Sequence, residues 1–474
     1  MKIIRYTLAF VLVIFAFAGC DKGFEELNKN PNEPTKVPPG LLLADVIRNT
    51  GNNLYSTFIG GDMGECWAQH WAKVQYNDEA RYIPRTSVIE AIWKNFYEDV
   101  VADAHQMEKL AAADGNKIAQ GAAIVMQAYA YMLLTDFYGN VPFSEAARAD
   151  EGIFSPKYDN QEDVYNGILE LLDQASDLLA SREGALIAAS DLLYGGDAGK
   201  WEKFANSLKF RALMRISGKK DVSADLQALM NKPLFESNSD DAELVYLTSY
   251  PNANPIWETI VYGVRQEFKV NSVLVDMLVN NNDPRLPQYV GKNADGEYRG
   301  KPSGYFDVPN QDYNYDNVSP ISDYYLQPDK PAVFMSYSEL LFFMAEAAQR
   351  GLISGDAKTY YEQAIKANLE KNDVGAGYDA YIASSFAAFN PNKALEQIGT
   401  QKWLALFCQG TEAWTEWRRT GYPALTPAID GDIDQIPSRL QYPAIEQSVN
   451  GANYKAAVDA QGPDLLTTKI WWMD

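Results

Sequence analysis

Two histidines and three cysteines are all that this 474-residue chain offers for imidazole or thiol chemistry. His70 and His105 are too few for a histidine-rich zinc site and lack His-x-x-x-His spacing. Cys66 and Cys408 sit among aromatic and aliphatic neighbours and form no zinc pattern. They read as buried thiols, with a bridge between them left open. Positive charge is scarce too: 41 Lys and Arg face 63 Asp and Glu, a formal net charge of −22. That balance argues against nucleic acid, whose affinity comes mainly from basic side chains neutralising phosphates. It argues equally against an anionic lipid surface as the partner.

Signatures of catalysis are missing as well. There is no Gly-x-Ser-x-Gly elbow and no phosphate-cradling glycine loop. Paired carboxylates hydrolyse glycans, yet no carboxylate here stands in a motif that singles it out. Asn310, Asp312, Asn314 and Asp316 alternate like calcium ligands, but Tyr315 occupies the sixth position and Ile321 stands where a bidentate Glu is needed. The residues point to no catalytic group, no cofactor and no metal.

What is present begins with Cys20. Lys2 and Arg5 precede an apolar run from Thr7 to Ala18, and Ala18-Gly19 puts two small residues before the thiol. That pattern predicts a lipoprotein signal over residues 1–19, with Cys20 becoming the acylated N-terminus. The run falls short of the roughly 20 residues a transmembrane helix needs, and no other segment reads as a span. Residues 20–40, with four prolines from Pro31 to Pro39, read as an extended tether.

The globular part is expected over 41–474. Ile118, Ala122, Val125, Tyr129, Met132 and Leu133 recur at spacings of three and four, as do Val164, Ile168, Leu171, Leu172, Ala175 and Leu179. Trp201, Phe204, Leu208 and Ala212 make a third helical stripe. A helical scaffold is therefore expected over about 41–231 and 333–420. Between them, 232–332 is rich in Gly, Pro, Asn, Asp and Tyr, with helical spacing only around 271–279. A long irregular segment within a compact protein is usually functional, and its aromatics argue against disorder. Ala345, Ala357, Tyr361 and Ala364 stand at the small and aromatic positions of a tetratricopeptide-like hairpin, with Gly351 and Gly355 in its turn. The fold class expected is mainly α, with such hairpins forming a superhelical scaffold and a loop-rich side.

Several blocks resemble the SusD/RagB family of outer-membrane nutrient-binding lipoproteins. They are Asn30-Pro31-Asn32-Glu33-Pro34-Thr35, Thr135 to Phe143 (TDFYGNVPF), Lys200 to Leu208 (KWEKFANSL), and Tyr337-Ser338-Glu339 leading to Ala345-Glu346-Ala347-Ala348. A last block runs from Gln401-Lys402-Trp403 through Trp414 to Arg418-Arg419-Thr420-Gly421-Tyr422-Pro423. The resemblance implies a non-catalytic protein at the outer membrane, exposed on the cell surface, that delivers an oligosaccharide or polysaccharide to a SusC-like TonB-dependent transporter. Asp21, Glu25 and Glu26 look like the export signals of such lipoproteins. Arg418 and Arg419 are expected to pair with local carboxylates such as Glu412 or Glu416. Relatives that capture peptides keep a peptide ligand open; a surface glycoside hydrolase is a more remote alternative.

A neutral glycan presents hydroxyl groups and an apolar face, so its site needs flat aromatic platforms with a few polar side chains. Two segments carry that chemistry. One gives Trp67, Trp71, Tyr76, Asn77, Arg81 and Tyr82; the other gives Trp257 and Arg265, followed by Tyr313 and Tyr315. Trp67 and Trp71, four residues apart, share a helix face and equally suit a core.

Overall fold

The computed structural model describes residues 39–305 and 312–473. The expected signal, Cys20, the acidic residues after it, nearly all of the tether, the Asn30–Thr35 block and Asn310 lie outside them. The first helix, α1 (Pro39–Leu54), opens on a proline, whose fixed φ and missing N–H suit a first turn. A helix over Asp103–Ala113 (α2) leads into α3 (Lys117–Tyr138), where Asn116 caps the start by accepting from the N–H of Ala119 at 3.0 Å.

α3 overturns one expectation. By length and composition it would cross a membrane, yet its apolar window is 94% buried inside the protein. It is a core helix surrounded on all sides, which is why its residues read as apolar all round. α4 (Gln161–Ala180) packs back against it, and α5 (Ala198–Ile216) against α4. The α3–α4 approach is close because Gly121 faces Leu179; a Cβ there would lie 2.7 Å from the Leu179 Cγ.

The C-terminal hairpin is α6 (Tyr337–Gln349) with α7 (Ala357–Lys371). Ala345, Ala364 and Tyr361 are fully buried between the two, and the Ser338 hydroxyl donates to the Ala364 carbonyl at 3.0 Å. Gly351 and Gly355 make the turn with φ of 71° and 144°, values that side chains bearing a Cβ resist. The architecture is thus helical, with tetratricopeptide-like hairpins. α8 (Ala394–Ala405) and α9 (Gly410–Thr420) complete this side.

A buried ionic network ties the hairpins together. Arg211 on α5 holds Glu339 on α6 at 2.7 and 2.8 Å, and Arg215 reaches Glu412 at 2.7 Å and Glu416 on α9. Arg419 pairs with Glu346 and Glu416, as expected of it. Arg418 pairs with no carboxylate among the described residues. Its guanidinium lies 3.7 Å from the Trp414 ring and donates to the carbonyls of Asp136 and Ser438 at 2.8 Å and to the Thr415 hydroxyl at 2.9 Å. Stacking one turn back along its own helix turns it away from Glu412 and Glu416.

Strands are few and short. β1 (Trp71–Lys73) and β3 (Phe268–Val270) pair antiparallel with Trp71 opposite Val270 and Lys73 opposite Phe268; β2 (Ala242–Leu244) pairs with β4 (Ala332–Met335). The β1–β3 ladder joins the segment after Thr57–Glu65 to the mid-chain segment around Arg265. Cys66 and Cys408 are both buried, unbridged thiols, and burial holds each well above the ordinary thiol range.

Candidate ligand-binding surface

Three of the expected site residues are core. Trp67 and Trp71 are 0% exposed, and Tyr82 is 1% exposed. Trp67 meets the Trp414 ring edge-on at 4.9 Å and donates its indole N–H to the Glu79 carbonyl at 2.8 Å. The Tyr82 hydroxyl accepts from the Ala428 N–H at 2.7 Å. Their faces meet protein rather than solvent: Trp67 packs on α9, whereas Trp71 lies past the left-handed Gln69 in β1, off the helix face expected of the pair, and meets Phe268 of β3 edge-on at 5.9 Å. Asn77 is also buried and donates to the Tyr305 carbonyl at 3.3 Å. Arg81 is half-buried and donates to the Asp430 carbonyl at 2.8 Å. These two brace loops.

The others are brought to the surface by the β1–β3 pairing. Beyond Lys73, the Val74 N–H donates to the Glu267 carbonyl at 2.9 Å, which carries Gln75 and Tyr76 alongside Arg265. Tyr76 is 62% exposed, with the Arg265 guanidinium 5.5 Å from its ring centre. The Tyr315 hydroxyl donates to Gln75 Oε1 at 2.6 Å, and Lys269 Nζ donates to the Tyr315 carbonyl at 2.9 Å. Burial, reinforced by the Glu267 carboxylate, holds the Tyr315 phenol above its ordinary range, so it stays a donor. Tyr313 is half-buried and meets Tyr305 edge-on at 5.4 Å, with Arg299 5.1 Å from its ring centre. Asn314, read as a calcium-like position, instead accepts from the N–H groups of Asp316 and Asn317 and closes a turn.

Trp257 belongs to a column of rings. Asn254 caps a short helical turn by accepting from the Ile256 N–H at 2.8 Å, with Pro255 at its first position. The chain then widens into an i→i+5 turn, in which the Gly263 N–H donates to the Glu258 carbonyl at 2.9 Å. Residues five apart diverge on an ordinary helix of 3.6 residues per turn, but the wider turn lets Trp257 and Tyr262 stack with centroids 5.9 Å apart. Tyr250 continues the column at 4.8 Å from Tyr262. Tyr250 and Phe58 also line a cleft of about 380 Å³ with Asn52, Glu258 and Thr259. Sequence reasoning missed Tyr250 and Phe58; the only signal was an aromatic before proline in an Asn-rich turn.

Charge at this face is locally compensated. Arg265 pairs with Glu267 at 2.8 Å. Lys73 and Arg85 converge on Asp62 at 2.7 and 2.8 Å, and Arg85 also lies over the Phe58 ring at 5.0 Å. Burial pushes the Asp62 carboxyl up to about 6 in spite of both cations. The surface therefore offers aromatic faces, amides and hydroxyls, with each of these cations already held by a carboxylate.

A family model described as starch-binding and associating with the outer membrane, of the SusD-like class, matches residues 31–443. Among solved structures, a chitin-binding protein is 29% identical, with a TM-score of 0.82 over 92% of this chain and 100% of its own. A SusD homologue from Bacteroides fragilis is 25% identical, with a TM-score of 0.77 over 92% of this chain and 99% of its own. A chitin-binding SusD homologue from Flavobacterium johnsoniae, 23% identical with a TM-score of 0.80, covers 91% of this chain and 98% of its own; at that identity the likeness is one of fold. A comparison with curated proteins found no match.

Proposed function

The chain belongs to the SusD-like family of starch-binding proteins that associate with the outer membrane, and we propose that it captures neutral oligosaccharides without cleaving them. The observation that carries this reading is the solvent-open column of Tyr250, Tyr262 and Trp257 beside the Phe58 cleft. Tyr76, Gln75 and Tyr315 extend it with a further ring and polar groups. Stacked contacts contribute about 0.5–1.5 kcal/mol each beyond area burial. Two or three of them with several hydrogen bonds amount to roughly −4 to −8 kcal/mol, a millimolar to micromolar site. The chitin-binding relative supports a carbohydrate ligand.

In this account Cys20 is acylated, 20–40 is a tether, and 41–474 works as one ligand-binding body at the outer-membrane surface. The captured sugar passes to a SusC-like TonB-dependent transporter, and a transporter held alongside raises the effective concentration enough to make weak binding sufficient. Palmitate labelling of the chain and its Cys20→Ala variant tests the anchor: label is expected only in the first. Titration calorimetry with chitin and starch oligosaccharides, followed by mass analysis of the recovered sugar, tests the function. Saturable binding with intact sugar is expected; a peptide mixture that binds where the sugars do not would replace this reading.

A further inference from the structure

The Thr135–Phe143 block plays no part in the ligand surface above, yet it builds a second cleft at the end of α3. Gly139 ends that helix with φ of 85°, and a Cβ there would collide with the Gln461 side chain. Gln461 fills the space, accepting from the Asn140 N–H at 2.6 Å and donating to the Tyr138 carbonyl at 2.9 Å. Asn140 Oδ1 accepts from the Gln161 N–H at 2.9 Å, which fixes its amide so that Nδ2 is the outer group. Gln161 Nε2 donates to the Thr135 carbonyl at 2.7 Å, which leaves Oε1 as its remaining acceptor.

These two remaining groups are complementary. Gln161 is 1% exposed, and its Oε1 is buried without a hydrogen-bond partner among the described residues; such an acceptor costs free energy until something donates to it. Asn140 Nδ2 is a donor with no hydrogen-bond partner among the described residues. Both residues line a cleft of about 430 Å³ with Asn160, Lys469 and Trp471. Asn160 stands at the start of α4 without using its side chain as a cap. Trp471 is half-buried, with the Lys220 ammonium 5.9 Å from its ring centre.

Ligand chemistry follows from what each group accepts. A carboxylate or phosphate oxygen only accepts and would repel Gln161 Oε1; an ammonium only donates and would repel Asn140 Nδ2. A hydroxyl does both. An indole beside a hydroxyl-matched donor and acceptor suits a sugar ring, whose C–H face packs on the aromatic while its hydroxyls bridge the amides. We infer that this cleft is a second saccharide site for a short stretch of neutral glycan. It is formed by α3, α4 and the C-terminal segment, shares no residue with the first surface, and does not depend on it. Two sites on one chain would hold a polymer through avidity.

The test uses chitotriose and maltotriose as probes on the full chain, its Tyr262→Ala and Trp471→Ala variants, and the two substitutions combined. Calorimetry is expected to show residual binding in Tyr262→Ala that weakens at least tenfold when Trp471→Ala is added. A co-crystal of the unaltered protein is expected to show sugar against Trp471, within hydrogen-bond reach of Gln161 and Asn140; this arm stands even where Trp471→Ala fails to fold. Only water at those two amides, neither probe bound, or residual binding indifferent to Trp471→Ala would overturn the second site. Failure of the first surface gives a different result, binding that Tyr262→Ala leaves unchanged and Trp471→Ala alone removes.

Discussion

Tyr250 and Tyr262 stack with centroids 4.8 Å apart and planes 10° from parallel, while more than half of each residue stays open to solvent. Stacked rings normally sit in cores or interfaces. A column left exposed is a platform held rigid before anything binds, so little ordering cost remains for the ligand to meet.

Removing the middle ring should therefore act on binding alone. Tyr262→Ala is expected to raise the Kd for a neutral oligosaccharide roughly 5- to 30-fold, a loss of about 1–2 kcal/mol. Its unfolding free energy should stay within about 0.5 kcal/mol of the unaltered chain, since an exposed side chain contributes little to folding. Calorimetry paired with urea unfolding reads both.

Trp67→Ala should do the reverse. The ring is fully buried against Trp414, and its indole N–H is bonded to Glu79. Its loss is expected to cost about 3–5 kcal/mol of stability, read as a lower urea midpoint. Under conditions where the variant is still folded, sugar affinity should change much less than in Tyr262→Ala.

The crossing of Thr57–Glu65 with α9 gives a third expectation. Gly64 meets Gly410 backbone to backbone; a Cβ on Gly64 would lie 2.6 Å from both the Gly410 carbonyl carbon and the Thr411 nitrogen. Gly64→Ala forces that contact apart and is expected to destabilise by about 1–3 kcal/mol or more. An alanine variant of unchanged stability would contradict the close crossing.

Asp62 gives the chain a pH signature. Its folded pKa, about 6, lies above an unfolded value of about 3.9, so between these the folded state binds more protons. Stability contributed through this group is highest below pH 4 and falls as pH rises through 6. Relative to Asp62→Asn, the unaltered chain should lose on the order of 3 kcal/mol between pH 4 and pH 7. Unfolding curves of both proteins at the two pH values check the sign; a difference that grows with pH contradicts it.

Much of the scaffold was legible in the sequence because helix packing is written in local spacing. Ala345, Ala364 and Tyr361 had the offsets of a hairpin and are buried in one. The site was less legible, for physical reasons. Trp67 and Trp71 had suitable chemistry, but their burial is set by distant partners, Trp414 on α9 for the first and Phe268 on β3 for the second. Trp257 and Tyr262 share a face only through a widened turn that no 3.6-residue pattern anticipates. Tyr76 and Arg265 meet through the β1–β3 pairing, a long-range register without a local mark. α3 reads as a scaffold helix with one apolar stripe, and that reading overlooks its being long and apolar enough to cross a membrane; a helix enclosed by protein and one enclosed by lipid have similar composition.

The most direct test of a non-catalytic sugar-capturing surface is one titration of chitotriose into the full chain and into a Trp257→Ala, Tyr262→Ala double variant, with the sugar recovered and weighed by mass spectrometry. The account predicts saturable binding by the first, at least tenfold weaker binding by the second, and trisaccharide returned whole from both. Equal affinity in the two proteins, or shortened sugar in either, would contradict it.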